Sequence, residues 1–290
     1  EPPDKIKFLI IYNIIYFFFK YLKRSYIILY NTILYIHMHY LELCNNFYIK
    51  ILSSVQPLVF FPTSMVMYLS FYACMHKILQ LVPRYNTYDT PRRYYIMFNI
   101  SKSTMLFLIS YSILLGFNRN ILSLTTIDWS NQVLYKNITA LYAITDIAPL
   151  FINRNKMMKS TVIHHVCVAL AYINIVSSNL NTIGLSNAII VYGLFSSLAY
   201  IVNFYLGFRY LITNKQCIYY LKKYAFINYF SSCSYNWSVQ AIYFFSYIYS
   251  IYINNFKQLT IRNIGYIGLY TSFLYFWISD DIVLMRHLLK

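Results

Sequence analysis

Apolar residues in this chain gather in runs of roughly twenty, separated by short clusters of Lys, Arg and Asn. A run of about 20 mostly apolar residues is the length at which a helix crosses a bilayer, so the pattern predicts an all-α chain with about seven such crossings. They run from about Pro57 to Met75, Tyr95 to Phe117, Asn137 to Ile152, Lys159 to Ser178, Ser186 to Phe208, Tyr224 to Tyr252 and Asn263 to Leu284. Only residues 153–158 separate the third and fourth runs, and a connection that short makes the two helices antiparallel neighbours. Before them, Ile6 to Phe19 is too short to span. Tyr26 to Met38 is interrupted by Asn31 and His37, and Lys20, Lys23 and Arg24 stand between the two stretches. Two interfacial helices fit this opening better than one more crossing. The expected organisation is an amphipathic stretch over 1–56, a first span with a basic loop over 57–95, and a six-helix transmembrane domain over 96–290.

Composition removes the soluble classes. Hydrophobic residues make up 59%, aromatics 20% and charged residues 11%, against about 25% charged in a typical soluble domain. Six Gly and seven Pro leave no long flexible linker. The five cysteines, Cys44, Cys74, Cys167, Cys217 and Cys233, are scattered and lack zinc-site spacing, so they read as small buried hydrophobes.

The net charge of +16, from 24 Lys+Arg against 8 Asp+Glu, would suggest nucleic acid in a soluble chain. Here it sorts by loop and reads as topology and contact with anionic headgroups; no nucleic-acid partner is expected. The loops after the first, third, fifth and seventh runs hold Lys77, Arg84, Arg92 and Arg93, then Arg154, Lys156 and Lys159, then Arg209, Lys215, Lys222 and Lys223, and finally Arg286 and Lys290. The opposite loops hold only Arg119 and Lys136, then no basic residue, then Lys257 and Arg262. The positive-inside rule places the C-terminus on the cytosolic side of an endoplasmic-reticulum or other endomembrane, or on the matrix side of a mitochondrial inner membrane.

Ionisable groups inside spans are costly and usually face a bundle interior. Asp146 lies in the third run, His164 and His165 are adjacent in the fourth, and Asp280 and Asp281 follow Trp277 in the seventh. At ~1.5 Å per residue they stand about 10, 8 and 7 Å from the basic ends of their runs, which puts three spans' polar groups in one layer. Adjacent helical residues point about 100° apart, so the two histidines are expected to face different partners. The layer suits a general base or transient acyl carrier, and equally a helix-to-helix hydrogen bond worth roughly 0.6–2 kcal/mol. No metal site is expected, because the fourth span offers neighbouring histidines in place of an i, i+4 pair. Asp280 and Asp281 can also pair with Arg286 and His287 within two turns. Lys102, early in the second run, is expected to snorkel to the interface. Arg209 closes the fifth run and serves as a lipid-phosphate ligand or as an anchor.

Leu141-Tyr-Ala-Ile-Thr-Asp146, the His164-His165 pair before an apolar run, and Leu194 to Arg209 through Tyr200 and Asn203 together resemble the TLC-domain family of TRAM, Lag-type ceramide synthase and CLN-type proteins. The likeness extends loosely over residues 98–290. It implies a six-helix barrel open to lipid and preceded by one span. In the synthase branch it implies N-acylation of a sphingoid base, with acyl-CoA as co-substrate and no bound cofactor. By position His164 and His165 would be catalytic with Asp146 beside them, and Tyr200, Arg209, Asp280 and Asp281 would meet lipid. Val191 to Asn203 lacks the carboxylates of that branch, and Tyr200 stands where other branches carry an acid. Three readings follow: a lipid acyltransferase, a non-catalytic lipid-binding regulator of membrane composition, and a structural subunit of an organellar membrane complex. Membrane lipids are the expected partners, with a second copy or other membrane subunits beside them.

Overall fold

A computed structural model describes residues 47, 49–116, 128–153, 157, 159–181, 184–253 and 261–289. The interfacial helices expected at Ile6–Phe19 and Tyr26–Met38, and the loop cations Arg119, Arg154, Lys156 and Lys257, lie outside these residues. The described residues are all-helical, without a strand. The helices are α1 Pro57–Leu79, α2 Pro83–Asn86, α3 Thr90–Gly116, α4 Gln132–Asn153, α5 Lys159–Ser177, α6 Leu185–Ser197, α7 Tyr200–Phe208, α8 Lys215–Ile253 and α9 Ile261–Leu289.

Local chemistry sets several boundaries. Pro57 opens α1, where its missing N–H removes no helical bond. Asn131 Oδ1 accepts the Leu134 N–H at 3.1 Å to cap α4, and Asn214 Oδ1 accepts from Gln216 and Cys217 to cap α8. In the turn before α4, the backbone N–H and hydroxyl of Ser130 both donate to Asp128 and hold its carboxyl below the usual carboxylate range.

The run expected as one crossing over Ser186–Phe208 is broken: α6 and α7 meet at a 42° bend. No Pro or Gly sits at the bend. Serines replace the helical ladder there. Ser197 Oγ donates to the Leu194 carbonyl at 2.6 Å, and the Leu198 and Ala199 N–H groups bond three residues back. From α3, Ser103 donates to the Tyr200 carbonyl at 3.0 Å and Ser110 to Ser197 Oγ at 3.2 Å. The α3 serines therefore fasten the two sides of the break to α3.

Residues 49–290 cluster as one compact unit. Neighbouring helices follow the order α3, α4, α5, α9, α8, α7 and back to α3, so the contacts close into a ring, and α1 packs on α3 and α4. Helix α6 touches α3, α4, α5 and α8, and most of its residues are buried, so it fills part of the interior. The tightest seam is α3 on α7, where Gly207 has no room for a side chain: a Cβ would stand 2.7 Å from Ile100 Cγ1 and 3.2 Å from the Ile96 carbonyl.

The buried interior is mainly apolar but holds a set of polar side chains, while large apolar side chains also cover the outer faces. Buried positions include Asn99, Ser101, Ser103, Asn137, Asp146, His165, Asn187, Asn236 and Gln240. The outer faces show Leu58 at 81% exposure, Val66 and Met67 on α1, Val166, Leu170 and Ile173 on α5, Phe245 and Tyr249 on α8, and Tyr275 and Val283 on α9. Among the described residues one helix, α1, is by itself both long and apolar enough to cross a bilayer. The bent pair α6–α7 passes when taken as one, and Thr161–Ser177 is apolar but shorter.

Candidate functional site

Three helices bring ionisable groups together. Asp146 on α4 is fully buried, and its Oδ1 receives the Lys102 ammonium from α3. The long Lys102 side chain turns inward and does not snorkel, because the buried carboxylate offers a better partner than the interface. His165 Nδ1 lies 3.1 Å from the same oxygen, outside hydrogen-bond geometry, and His164 Nε2 lies 3.7 Å from Oδ2. Both histidines thus flank one carboxylate, contrary to the expectation that they face different partners. The 100° step separates their Cα–Cβ bonds, while rotation about χ1 and χ2 brings the rings back, 5.5 Å apart and at 82° to each other.

The two imidazoles differ in surroundings. His165 is buried, packs edge-on against Phe98 at 6.3 Å, and neither ring nitrogen has a hydrogen-bond partner. His164 lines two adjoining cavities and also approaches α9, with Nδ1 3.6 Å from Asp280 Oδ2. One cavity, about 30 Å³, is apolar and lies among α4, α5, α6 and Trp277. The other, about 100 Å³, is polar: Lys102, Ser196, Ser232, Asn236, Asp280 and Asp281 line it. Tyr142, His164 and Tyr192 border both.

Asp280 and Asp281 do not pair with Arg286 and His287. Asp281 Oδ2 accepts from Tyr192 Oη at 2.7 Å and Trp237 Nε1 at 3.1 Å, and its Oδ1 accepts from Tyr229 Oη at 2.6 Å. Turning inward gives this carboxylate three donors, more than a surface cation would offer. His287 Nε2 instead meets Arg209 Nη1 at 2.9 Å. Asn236 donates to the Tyr192 carbonyl at 3.1 Å and to Ser196 at 3.3 Å, while its buried Oδ1 has no donor.

Asp146, His164, His165, Asp280 and Asp281 therefore form one neighbourhood. Tyr200 and Arg209 stand apart from it: the Tyr200 ring packs on Phe107 at 5.1 Å, and Arg209 ends α7. Sequence reasoning missed Lys102, Tyr192, Tyr229, Trp237 and Asn236. A lysine within an apolar run, opposite an aspartate in the next run, was the available signal for the first. The aromatic donors had none, being hidden in an excess of 34 Tyr.

One atom each from Asp146, His164 and His165 falls within 4.8 Å of the others, close enough to face a single ion. The Lys102 ammonium already sits on Asp146 and supplies the positive charge that such an ion would bring.

No family model, curated protein or solved structure matches the chain.

Proposed function

We propose that the chain is a polytopic membrane protein whose ring of helices houses an acyl-transfer site for a lipid amine, in the manner of the TLC-domain acyltransferases it resembles. The many large apolar side chains on the outer faces support the membrane reading, since a soluble monomer rarely leaves so much apolar surface in water. The Tyr-rich helices are only moderately apolar, yet Tyr is at home in the interfacial zone of a bilayer. Endomembrane placement with a cytosolic C-terminus is the favoured setting, and a mitochondrial inner membrane is the alternative.

The observation that carries the reading is that His164 is the imidazole on the cavity wall, set between Asp146 and Asp280. The acceptors in the polar cavity, Asp280, Asp281 and Asn236 Oδ1, suit the ammonium of a sphingoid base. The bound ammonium first releases one proton to water and becomes the free amine; its nitrogen then bonds to the acyl carbon of an acyl-CoA thioester as the carbon–sulfur bond breaks, and His164 takes the second proton from that nitrogen and passes it to the leaving thiolate, giving the amide and the free thiol. Asp146 stands beside the imidazole to stabilise its charged form, Lys102 keeps Asp146 charged, and His165 packs against the other side of that carboxylate.

A second reading, lipid binding without turnover, draws support from the cavity volume: about 100 Å³ holds a headgroup and leaves little space for a second reactant. One experiment separates the two. The full chain is purified, reconstituted into liposomes with sphinganine and palmitoyl-CoA, and the products are read by mass spectrometry. N-acylsphinganine forms with the wild type, and His164→Ala lowers the rate by about 10²-fold or more, with unchanged accumulation and monodispersity; His165→Ala costs less. Retained amine without product, with occupancy reduced in His164→Ala, favours the binding reading. Neither product nor retained lipid refutes both.

A further inference from the structure

We infer that the end of the ring where α7 stops, α3 begins and α9 finishes carries an anion site that takes a phosphate group, with Arg92 and Arg209 as its ligands. The chamber chemistry proposed above does not enter this inference, which rests on a different set of residues.

Arg209 caps α7 at its C-terminus, and Arg92 lies in the first turn of α3. Their guanidinium carbons stand 4.9 and 4.8 Å from the centre of one ring, that of Tyr210. Tyr210 is itself fixed: Tyr88 and Tyr95 pack edge-on against it at 5.7 and 6.0 Å, and Tyr88 Oη donates to its carbonyl at 2.9 Å. Two guanidinium groups on one held ring are a built arrangement, in contrast to cations scattered along a loop.

Among the described residues, neither guanidinium is paired with an acid: no carboxylate lies within ion-pair distance of either. Asp89 is near in sequence, but its carboxylate accepts the Arg92 backbone N–H at 3.3 Å. Arg209 meets neutral partners: Tyr210 Oη at 3.1 Å, Tyr95 Oη at 3.5 Å and His287 Nε2 at 2.9 Å. A guanidinium only donates, so Nε2 accepts and that imidazole is neutral toward it. Arg209 Nε is buried with no partner at all. Two like charges with unfilled donors complete their hydrogen bonding with a tetrahedral oxyanion. The phosphate belongs either to a lipid headgroup at the membrane surface or to a water-soluble phosphate ester.

The test uses the full chain purified in dodecyl maltoside, a detergent without phosphate. Dioleoyl phosphatidic acid and, as its phosphate-free counterpart, dioleoylglycerol are titrated in, and retention is read by native mass spectrometry. The wild type retains one phosphatidic acid at least about tenfold more tightly than the diacylglycerol, and Arg209→Gln and Arg92→Gln each weaken it about tenfold. Arg92 is exposed, so its variant keeps the fold even if Arg209→Gln does not. Inorganic pyrophosphate that displaces the lipid identifies a soluble ester as ligand, and pyrophosphate that does not identifies the headgroup. Lys223→Gln, an exposed cation outside the cluster, leaves retention unchanged. Equal losses in Lys223→Gln and in the arginine variants, or no preference for phosphatidic acid, overturn the inference.

Discussion

The chemistry of the chamber is decided by one buried carboxylate shared among three cations or potential cations. Asp146 is fully enclosed, so its charge is tolerable only because Lys102 sits on it. Replacing Asp146 with Asn leaves the half-buried Lys102 ammonium without its counter-charge, a loss of stability below the about 3–5 kcal/mol of a fully buried broken pair. Lys102→Met in the same background returns most of that loss. Thermal unfolding of the single and double variants in detergent checks this, and additive losses would show that the two side chains do not interact. At this scale the sequence disclosed the depth of Asp146, His164 and His165, because helical rise converts residue number into height. Whether Lys102 reaches inward or outward depends on how α3 is rotated about its axis, and helical rise carries no information on that.

Helices were legible as runs, and their limits fall within a few residues of the expected spans except at two places. One is the bend between α6 and α7, which no Pro or Gly announces. It is fastened from α3, where Ser103 and Ser110 reach across to the Tyr200 carbonyl and the Ser197 hydroxyl, a relation between segments nearly 90 residues apart or more. The other is α8, which at 39 residues extends about 58 Å, well beyond the thickness of a bilayer core. Packing between elements gives a sharp contrast among glycines. Gly207→Ala drives a methyl group into the α3 backbone and costs about 1–3 kcal/mol. Gly268→Ala, where a Cβ meets nothing, is neutral or stabilising by up to about 1 kcal/mol through helix propensity. The difference in melting temperature between these two variants tests the seam; similar values for both would mean that α3 and α7 do not approach as closely as described.

Among the described residues, the helices pack mainly apolar side chains against one another around a group of buried polar ones, and they also present large apolar side chains outward. That arrangement makes opposite predictions for water and for lipid at an outer position such as Leu170, mid-way along α5 and exposed. In a bilayer, Leu170→Asp raises the apparent cost of inserting that segment by about 3 kcal/mol, read as lost insertion in a glycosylation-mapped translation assay. A gain in soluble expression from the same change would instead argue that this face meets water.

The amino-acid sequence alone determined that the chain is helical, where its long elements lie, and that acids and imidazoles share one level in the ring. Those properties depend on run length and on rise per residue, both local quantities. Tertiary structure alone decided which ionisable groups meet. It turned Lys102 onto Asp146, brought both histidines to one carboxylate and gave Asp281 three aromatic donors. It also gathered Arg92 and Arg209 on a single ring. Each of these depends on the rotation and crossing of separate helices, which packing sets and no single segment encodes.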